Sequence, residues 1–338
     1  MNATKVYKNP VQFLAVTSLH TEEFDMLLKV FTHRWQQWYK YHDFKMKRRA
    51  KPLSASATQG QTRTLPSDLE KLFFILYIFK NNPLQQVAAA TFDMDQGQVS
   101  KWIKILSPIL EQSIEDLHLQ PARDMDELVR LFRDRQQRDD IGSQHQTQVQ
   151  TLNIDATERP IGRSVDYEAQ QEDYSGKQKC HTAKNTVMCD EYQFIHFLGL
   201  TWRGAVHDKK MIENEIPDWS DLNMDHIWLT KDTGYQGYNP SGVIVLEPFK
   251  ALRGKPLTDL KKQINTSVSS IRIVVEHAIG GVKRLRLVSE KWRLKLEERL
   301  DQAMAIAVGL HNLRIVNRKA AYAHAYARTG ARLDIFRS

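Results

Sequence analysis

Cysteine is nearly missing: Cys180 and Cys189 are the 2 in 338 residues. Two thiols exclude a disulfide framework and a four-cysteine zinc site. With His181 they make three unevenly spaced ligands and no clear fourth, which disfavours a structural zinc. Such economy fits a reducing, intracellular setting. Long apolar runs are missing too, since nothing approaches the roughly 18–20 residues that span a bilayer. Near the start only Phe13-Leu14-Ala15-Val16 is apolar, too short and poorly flanked for a secretory signal; a soluble protein is expected. No internal repeat is evident. Acidic residues are scarce in one region only. Residues 251–338 hold 18 basic and 7 acidic side chains, against 30 and 33 in residues 1–250. The formal charge of +8 therefore lies wholly in the last quarter, and points to a polyanion partner there. With 41% hydrophobic and 26% charged residues, the chain is long enough for a real core and does not read as disordered.

The apolar period locates the elements. Residues 21–40 read as an amphipathic helix with Thr21 as N-cap and Phe24, Leu27, Leu28, Phe31, Trp35 and Trp38 at helical spacing. Its aromatic face suits either a dimer interface or burial in its own domain. The basic run Lys45–Lys51 and the Ser/Ala/Thr/Gln stretch to Thr64 read as an exposed linker; a solvated charge run is the commoner reading, phosphate contact the other. Leu65-Pro66-Ser67-Asp68 starts a helix that Asn81-Asn82-Pro83 breaks. A second follows over Leu84–Thr91, then a turn at Asp93–Gly97, then a third from Gln98. Ala88-Ala89-Ala90 lets two helices cross closely, as a helix-turn-helix requires. Gln98, Ser100, Lys101 and Lys104 would then point outward to DNA, although a plain three-helix bundle fits the pattern equally. Residues 121–148 read as a charged helix and connector. Beyond them, strands are expected at Val149–Ile154, His181–Met188, Phe194–Trp202, Asp225–Asp232 and a buried Val243–Leu246, with Cys189-Asp190-Glu191 turning between the second and third. From Leu257 to about Arg318 the chain reads as helical. Strands followed by helices describe an α/β sheet domain.

Three acids stand out. Asp155 ends the apolar stretch Leu152-Asn153-Ile154, Asp232 ends Trp228-Leu229-Thr230-Lys231, and Glu276 lies in the helical Arg272–Ala278. A carboxylate at the tip of a buried strand is costly unless a cation meets it. Converging, the three would make a hard-oxygen site for Mg²⁺. On spacing alone, turn capping by the aspartates and pairing of Glu276 with Arg272 is the commoner arrangement.

Residues 150–318 resemble the DDE transposases of the IS5 type, related to the Harbinger-like DDE endonucleases. Four stretches carry the resemblance: Asp155-Ala156-Thr157-Glu158; Asp173 to Lys184, with Gln178 where a second basic residue is usual; Asp232-Thr233-Gly234-Tyr235-Gln236-Gly237; and Arg272, Glu276 and Lys283 at the spacing of an Arg-Glu-Lys signature. The tyrosine that often precedes that signature is absent, Ser269 and Ser270 occupying the region. Val206-His207-Asp208 is similar to a further landmark, and residues 65–115 to the helix-turn-helix found ahead of this catalytic domain.

The resemblance implies an α/β fold: an RNase H-like catalytic domain, a mixed sheet flanked by helices, preceded by an all-α helix-turn-helix region. The expected division is a helical segment and linker (1–64), the DNA-binding domain (65–120), a connector (121–148), the catalytic domain (149–318) and a tail (319–338). Asp155, Asp232 and Glu276 are the implied ligands of Mg²⁺ or Mn²⁺, two ions per site, with Arg272 and Lys283 assisting at the phosphate. Lys177, His181 and Lys184 contact DNA backbone or sit on the wet face of a hairpin. Arg284 and Arg286 belong to a cationic face beside the site, suited to neutralising phosphates. Trp202, Trp219, Trp228 and Trp292 suit core packing better than base stacking. The implied partners are double-stranded DNA, both the inverted repeats of an insertion sequence and its target, and a second copy of the chain. The implied location is the bacterial cytoplasm at the nucleoid. A DNA-binding regulator without turnover and a general nuclease of the same fold are the rival readings.

Overall fold

The computed structural model describes residues 1–54, 64–140, 151–220, 227–251, 256–293 and 297–329. These divide into two compact units, one of residues up to Leu119 with the chain from Gly309, the other Gln120–Val308. Among the described residues no helix is long and apolar enough to cross a membrane.

The first unit is all helical: α1 (Ala3–Tyr7), α2 (Pro10–Thr17), α3 (Thr21–Tyr41), α4 (Asp68–Asn81), α5 (Gln85–Phe92) and α6 (Gln96–Asp116). The N-cap of α3 is His20, one residue before the expected Thr21, because the Glu23 carboxylate reaches back to accept from the His20 N–H at 2.8 Å. Phe24, Leu27, Phe31 and Trp35 are buried inside this unit, and Leu28 and Trp38 half-buried, so most of the aromatic face packs in its own core. Ser67 and Glu70 form a capping box at the start of α4, and Asn82 in the left-handed region ends it. Helix α6 begins at Gln96, two residues earlier than its sequence suggests. Asp95 accepts from the Gln98 N–H at 2.8 Å while the Gln98 amide oxygen accepts from the Asp95 N–H at 3.1 Å. Gly97 is thus helical, and Asp93 with φ 52° makes the turn after α5. At the C-terminal end of the chain Gly309 lies directly against Ile114, so only a glycine lets the two helices approach this closely.

The second unit opens with α7 (Met125–Asp140) and then builds a mixed sheet: β1 (Thr151–Pro160), β2 (Tyr174–Ser175) after α8 (Tyr167–Asp173), β3 (Cys180–Asp190), β4 (Ile195–Leu198), β5 (Trp202–Arg203), β6 (Trp228–Thr230) and β7 (Ile244–Leu246). Its order is β2-β3-β1-β6-β7, with β4 and β5 also pairing β3. Strand β1 runs antiparallel to β3 and parallel to β6, and β6 parallel to β7. Helix α9 (Asp208–Glu215) and a 3₁₀ turn (Thr233–Tyr235) lie between β5 and β7, and α10 (Asp259–Lys283), α11 (Arg286–Ser289) and α12 (Glu297–Thr329) follow. Alternation along β1 puts Leu152 and Ile154 into a core shared with Leu128 and Phe132 of α7, Ile212 of α9 and Trp219. Helix α10 packs on β1 and β3.

Several boundaries differ from expectation. Strand β1 continues five residues past Asp155, because its pairing with β3 runs to Pro160 opposite Thr182. Cys189 and Asp190 belong to β3, and the turn follows them. The stretch Phe194–Trp202 divides into β4 and β5 at Gly199-Leu200, where Gly199 lies against the Glu215 carboxylate. Strand β7 is not buried: as the last strand of the sheet it leaves Ile244 43% exposed. The expected strand residues Val149, Gln150, Asp225 and His226 lie outside the described residues.

Candidate active site

Two parallel strands bring the aspartates together. The register of β1 with β6 pairs Thr151 with Trp228, Leu152 with Leu229 and Asn153 with Thr230. Two residues further on, Asp155 still lies in β1, while Asp232 stands just past the end of β6 at the cap of the 3₁₀ turn. Both carboxylates are tied to their own backbone. Asp155 Oδ1 accepts from the Ala156 N–H at 2.8 Å, and Asp232 Oδ1, capping the 3₁₀ turn, accepts from the Thr233 N–H at 2.6 Å. Behind Asp232, Lys231 is fully buried and fixes the loop by donating to the Tyr235 carbonyl (3.1 Å) and Asn239 Oδ1 (3.2 Å). Its ammonium also pairs with Glu247 at 2.6 Å.

Arg272 of α10 stands between the two acids, 4.0 Å from Asp155 Oδ2 and 3.7 Å from Asp232 Oδ1. These are charge contacts longer than a hydrogen bond. Its Nε is buried without a hydrogen-bond partner among the described residues. Burial pushes the Asp155 carboxyl above its usual range, the Ala156 N–H and Arg272 oppose this, and the charge of Asp232 adds to it. The pair is therefore short of positive charge. Two adjacent hard-oxygen carboxylates with one loosely held cation between them fit Mg²⁺ or Mn²⁺ in donor chemistry.

Glu276 does not join them. It lies exposed on α10, and among the described residues no group of three or more His, Cys, Asp or Glu could hold a metal ion. Arg272, Glu276 and Lys283 lie along one flank of α10, beside its buried Val268, Val275, Ala278, Ile279 and Val282, with Glu276 the most outward of the three. Arg272 and Lys283 sit at the margin of that buried face. Burial lowers the Lys283 pKa, and Glu158 and Asp155 pull it back up, so its ammonium lies in the field of both acids.

Lys184 is turned inward, against its expected contact with DNA or the wet face of a hairpin. It is 7% exposed, and its ammonium is held by Asp208 (3.1 Å), Glu158 (3.4 Å) and the Val206 carbonyl (3.1 Å). Lys177 is exposed, and His181 is half-buried with its ring edge-on to Tyr174 at 5.9 Å. Arg286 is exposed and paired with Glu290 at 2.5 Å, and Arg284 is half-buried. In the first unit Lys104 is exposed, Ser100 half-buried and Lys101 set over the Phe44 ring at 5.5 Å, while Gln98 caps its own helix. Trp219 is buried and donates to the Tyr238 hydroxyl at 2.9 Å; Trp292 is also buried, and Trp228 is 37% exposed. The sequence reading missed the Lys184 network and Lys231. The signal for Lys231 was a lysine closing an apolar strand next to an aspartate.

Residues 154–312 match the family described as DDE superfamily endonuclease. The chain is also similar to the probable transposase for insertion sequence element IS702 of Microchaete diplosiphon, 29% identical over 160 residues. That alignment covers 47% of this chain and 55% of the relative, so the chain spans about half the length of the curated relative it matches. No solved structure matches it significantly. The matched segment runs from the residue before Asp155 past Asp232, Arg272 and Lys283, and over it the chain is similar to the DDE superfamily.

Proposed function

We propose that this chain is the transposase of an insertion sequence, cutting DNA at the element's inverted repeats and joining the ends to a target. The observation that carries the reading is the juxtaposition of Asp155 on β1 and Asp232 just past β6 with Arg272 between them. We read the second unit as an RNase H-like domain, and α5 and α6 as a helix-turn-helix. The proposed boundaries are 1–64, 65–120, 121–148, 149–318 and 319–338, as the sequence suggests.

Asp155 and Asp232 would hold the divalent ion, and Glu276 would add a third carboxylate once DNA is bound. When bound, the ion would supply Lewis-acid polarisation of a phosphodiester. Arg272 and Lys283 place cations where a phosphate would meet two carboxylates, offsetting repulsion that would otherwise exclude the substrate. Arg284, Arg286 and Lys177 extend that positive surface, and His181 adds a polar contact. In the first unit Lys101 and Lys104 suit phosphates, and Gln98 and Ser100 base edges. Joining two ends calls for two active sites, hence at least a dimer on DNA. A cytoplasmic, nucleoid-associated location follows from that substrate.

The rival reading, a DNA-binding regulator without turnover, draws on the exposed position of Glu276. Duplexes carrying the inverted repeats that flank the gene separate the readings. Nicks mapped to the repeat ends with Mg²⁺ or Mn²⁺ support the transposase. Binding without nicking makes it a regulator, and nicking without end preference a general nuclease.

A further inference from the structure

Three residues along β1 from Asp155 lies an ion-pair cluster built around Lys184. Glu158 and Lys184 are cross-strand partners on β1 and β3, and both side chains are 9% exposed. The Lys184 ammonium spans Glu158 Oε1 (3.4 Å) and Asp208 Oδ1 (3.1 Å), and donates to the Val206 carbonyl at 3.1 Å. Thr182 Oγ1 donates to the second Glu158 oxygen at 3.0 Å. Asp208 opens α9, which packs on the 3₁₀ turn that Asp232 caps. A Cβ added to Gly234 in that turn would stand 3.7 Å from Asp208 Oδ2.

We infer that Lys184 is a positioning residue for the two-aspartate site. One buried ammonium clamps the strand three residues beyond Asp155 to the helix that supports the turn of Asp232. It thereby sets how far apart the two aspartates stand without touching ion or DNA. Two carboxylates must meet a small cation within a few tenths of an ångström to share it, and supporting hydrogen bonds of this kind set that geometry. An ammonium held by Glu158, Asp208 and the Val206 carbonyl has no donor left to aim at a phosphate.

The inference rests on the proposed metal-dependent function, and the test separates the two. Mn²⁺ alone is titrated calorimetrically into the full chain without DNA, and DNA affinity is followed against salt. The double variant K184M/E158Q keeps the net charge of the Lys184–Glu158–Asp208 set at −1, so it removes the clamp without changing the total charge there. Expected is a fall in Mn²⁺ affinity of about tenfold or more, with DNA affinity and its salt slope unchanged. Asp208→Glu, which keeps charge and moves the carboxylate, guards against a double variant that does not fold, and is expected to weaken Mn²⁺ likewise. Lys184→Arg, which keeps a cation between the two carboxylates, is expected to recover most of the affinity. Mn²⁺ affinity within twofold of wild type in the folded variants overturns the inference and leaves the function standing. A loss of DNA affinity with a shallower salt slope in K184M/E158Q overturns it in favour of phosphate contact. Wild-type chain that takes up no Mn²⁺ overturns the metal-dependent reading itself, and the inference with it.

Discussion

Asp155 and Asp232 each lie two residues beyond the paired Asn153 and Thr230 of the parallel strands β1 and β6, Asp155 still within β1 and Asp232 at the cap of the 3₁₀ turn that follows β6. Nothing flexible is needed to bring them together. The parallel ladder brings β1 and β6 side by side just before the acids, and the Ala156 and Thr233 N–H groups orient them.

Arg272 is the cation at that pair, and it competes with any divalent ion for the same two carboxylates. Arg272→Met is expected to raise Mn²⁺ affinity of the DNA-free chain by about threefold or more, since a unit charge near 4 Å matters by kilocalories at intermediate dielectric. Cleavage is expected to fall at the same time, because the phosphate loses a partner. Calorimetry and a nicking assay on one preparation check both.

Glu276 stands exposed on α10 and is assigned a role only with DNA present. Glu276→Gln is therefore expected to keep Mn²⁺ binding of the free chain within about twofold while losing at least about a hundredfold in cleavage, as removal of one stabilising group at a reacting centre typically costs. Equal loss of free-chain Mn²⁺ binding in Glu276→Gln and Asp155→Asn would contradict that order of events.

Gly204 touches Thr182 Oγ1 and the Asp173 carbonyl so closely that a methyl group has no room. Gly204→Ala is expected to destabilise the chain by about 1–3 kcal/mol, the usual cost of overpacking. It also disturbs the Thr182 hydroxyl that donates to Glu158. Urea unfolding with an unchanged m-value checks the stability.

Lys71 is a buried cation in the first unit, paired with Asp68 at 3.1 Å and set over Trp35 at 4.9 Å. Burial pushes its pKa below the ordinary 10.5, outweighing the pull of Asp68. At neutral pH the ammonium is charged in both states, so its burial costs stability there. As pH rises from the lowered folded value toward 10.5 the unfolded chain holds the proton more, and that cost fades. Lys71→Met is expected to be the more stable protein at pH 7 by about 1 kcal/mol, the gap narrowing as pH climbs through that window. Melting curves from pH 7 to 10 check the sign.

Local signals in the sequence carried much of the fold. Ser67 with Glu70 marked the start of α4, Asn81-Asn82-Pro83 its end, and the alternation before Asp155 marked β1. Three kinds of feature were hidden. Reciprocal side-chain caps moved helix starts, as at His20 and Asp95, because either of two neighbouring polar residues could serve. Tertiary neighbours broke or exposed strands, as Glu215 does at Gly199 and the edge position does at β7. Buried charge was least visible. Lys184 looks like any lysine of a basic stretch until its cross-strand partner Glu158 and the helix start at Asp208 are known. The two aspartates were recognisable by motif, but their approach depends on the parallel pairing of β1 with β6, which no local pattern encodes.

The most direct test is cleavage of an end-bearing duplex by wild type, Asp155→Asn and Asp232→Asn in Mg²⁺ or Mn²⁺, with end binding measured in the same samples. The account predicts end-specific nicks from wild type, binding without cleavage from each variant, and loss of Mn²⁺ uptake in both. Full cleavage by either folded variant would contradict it.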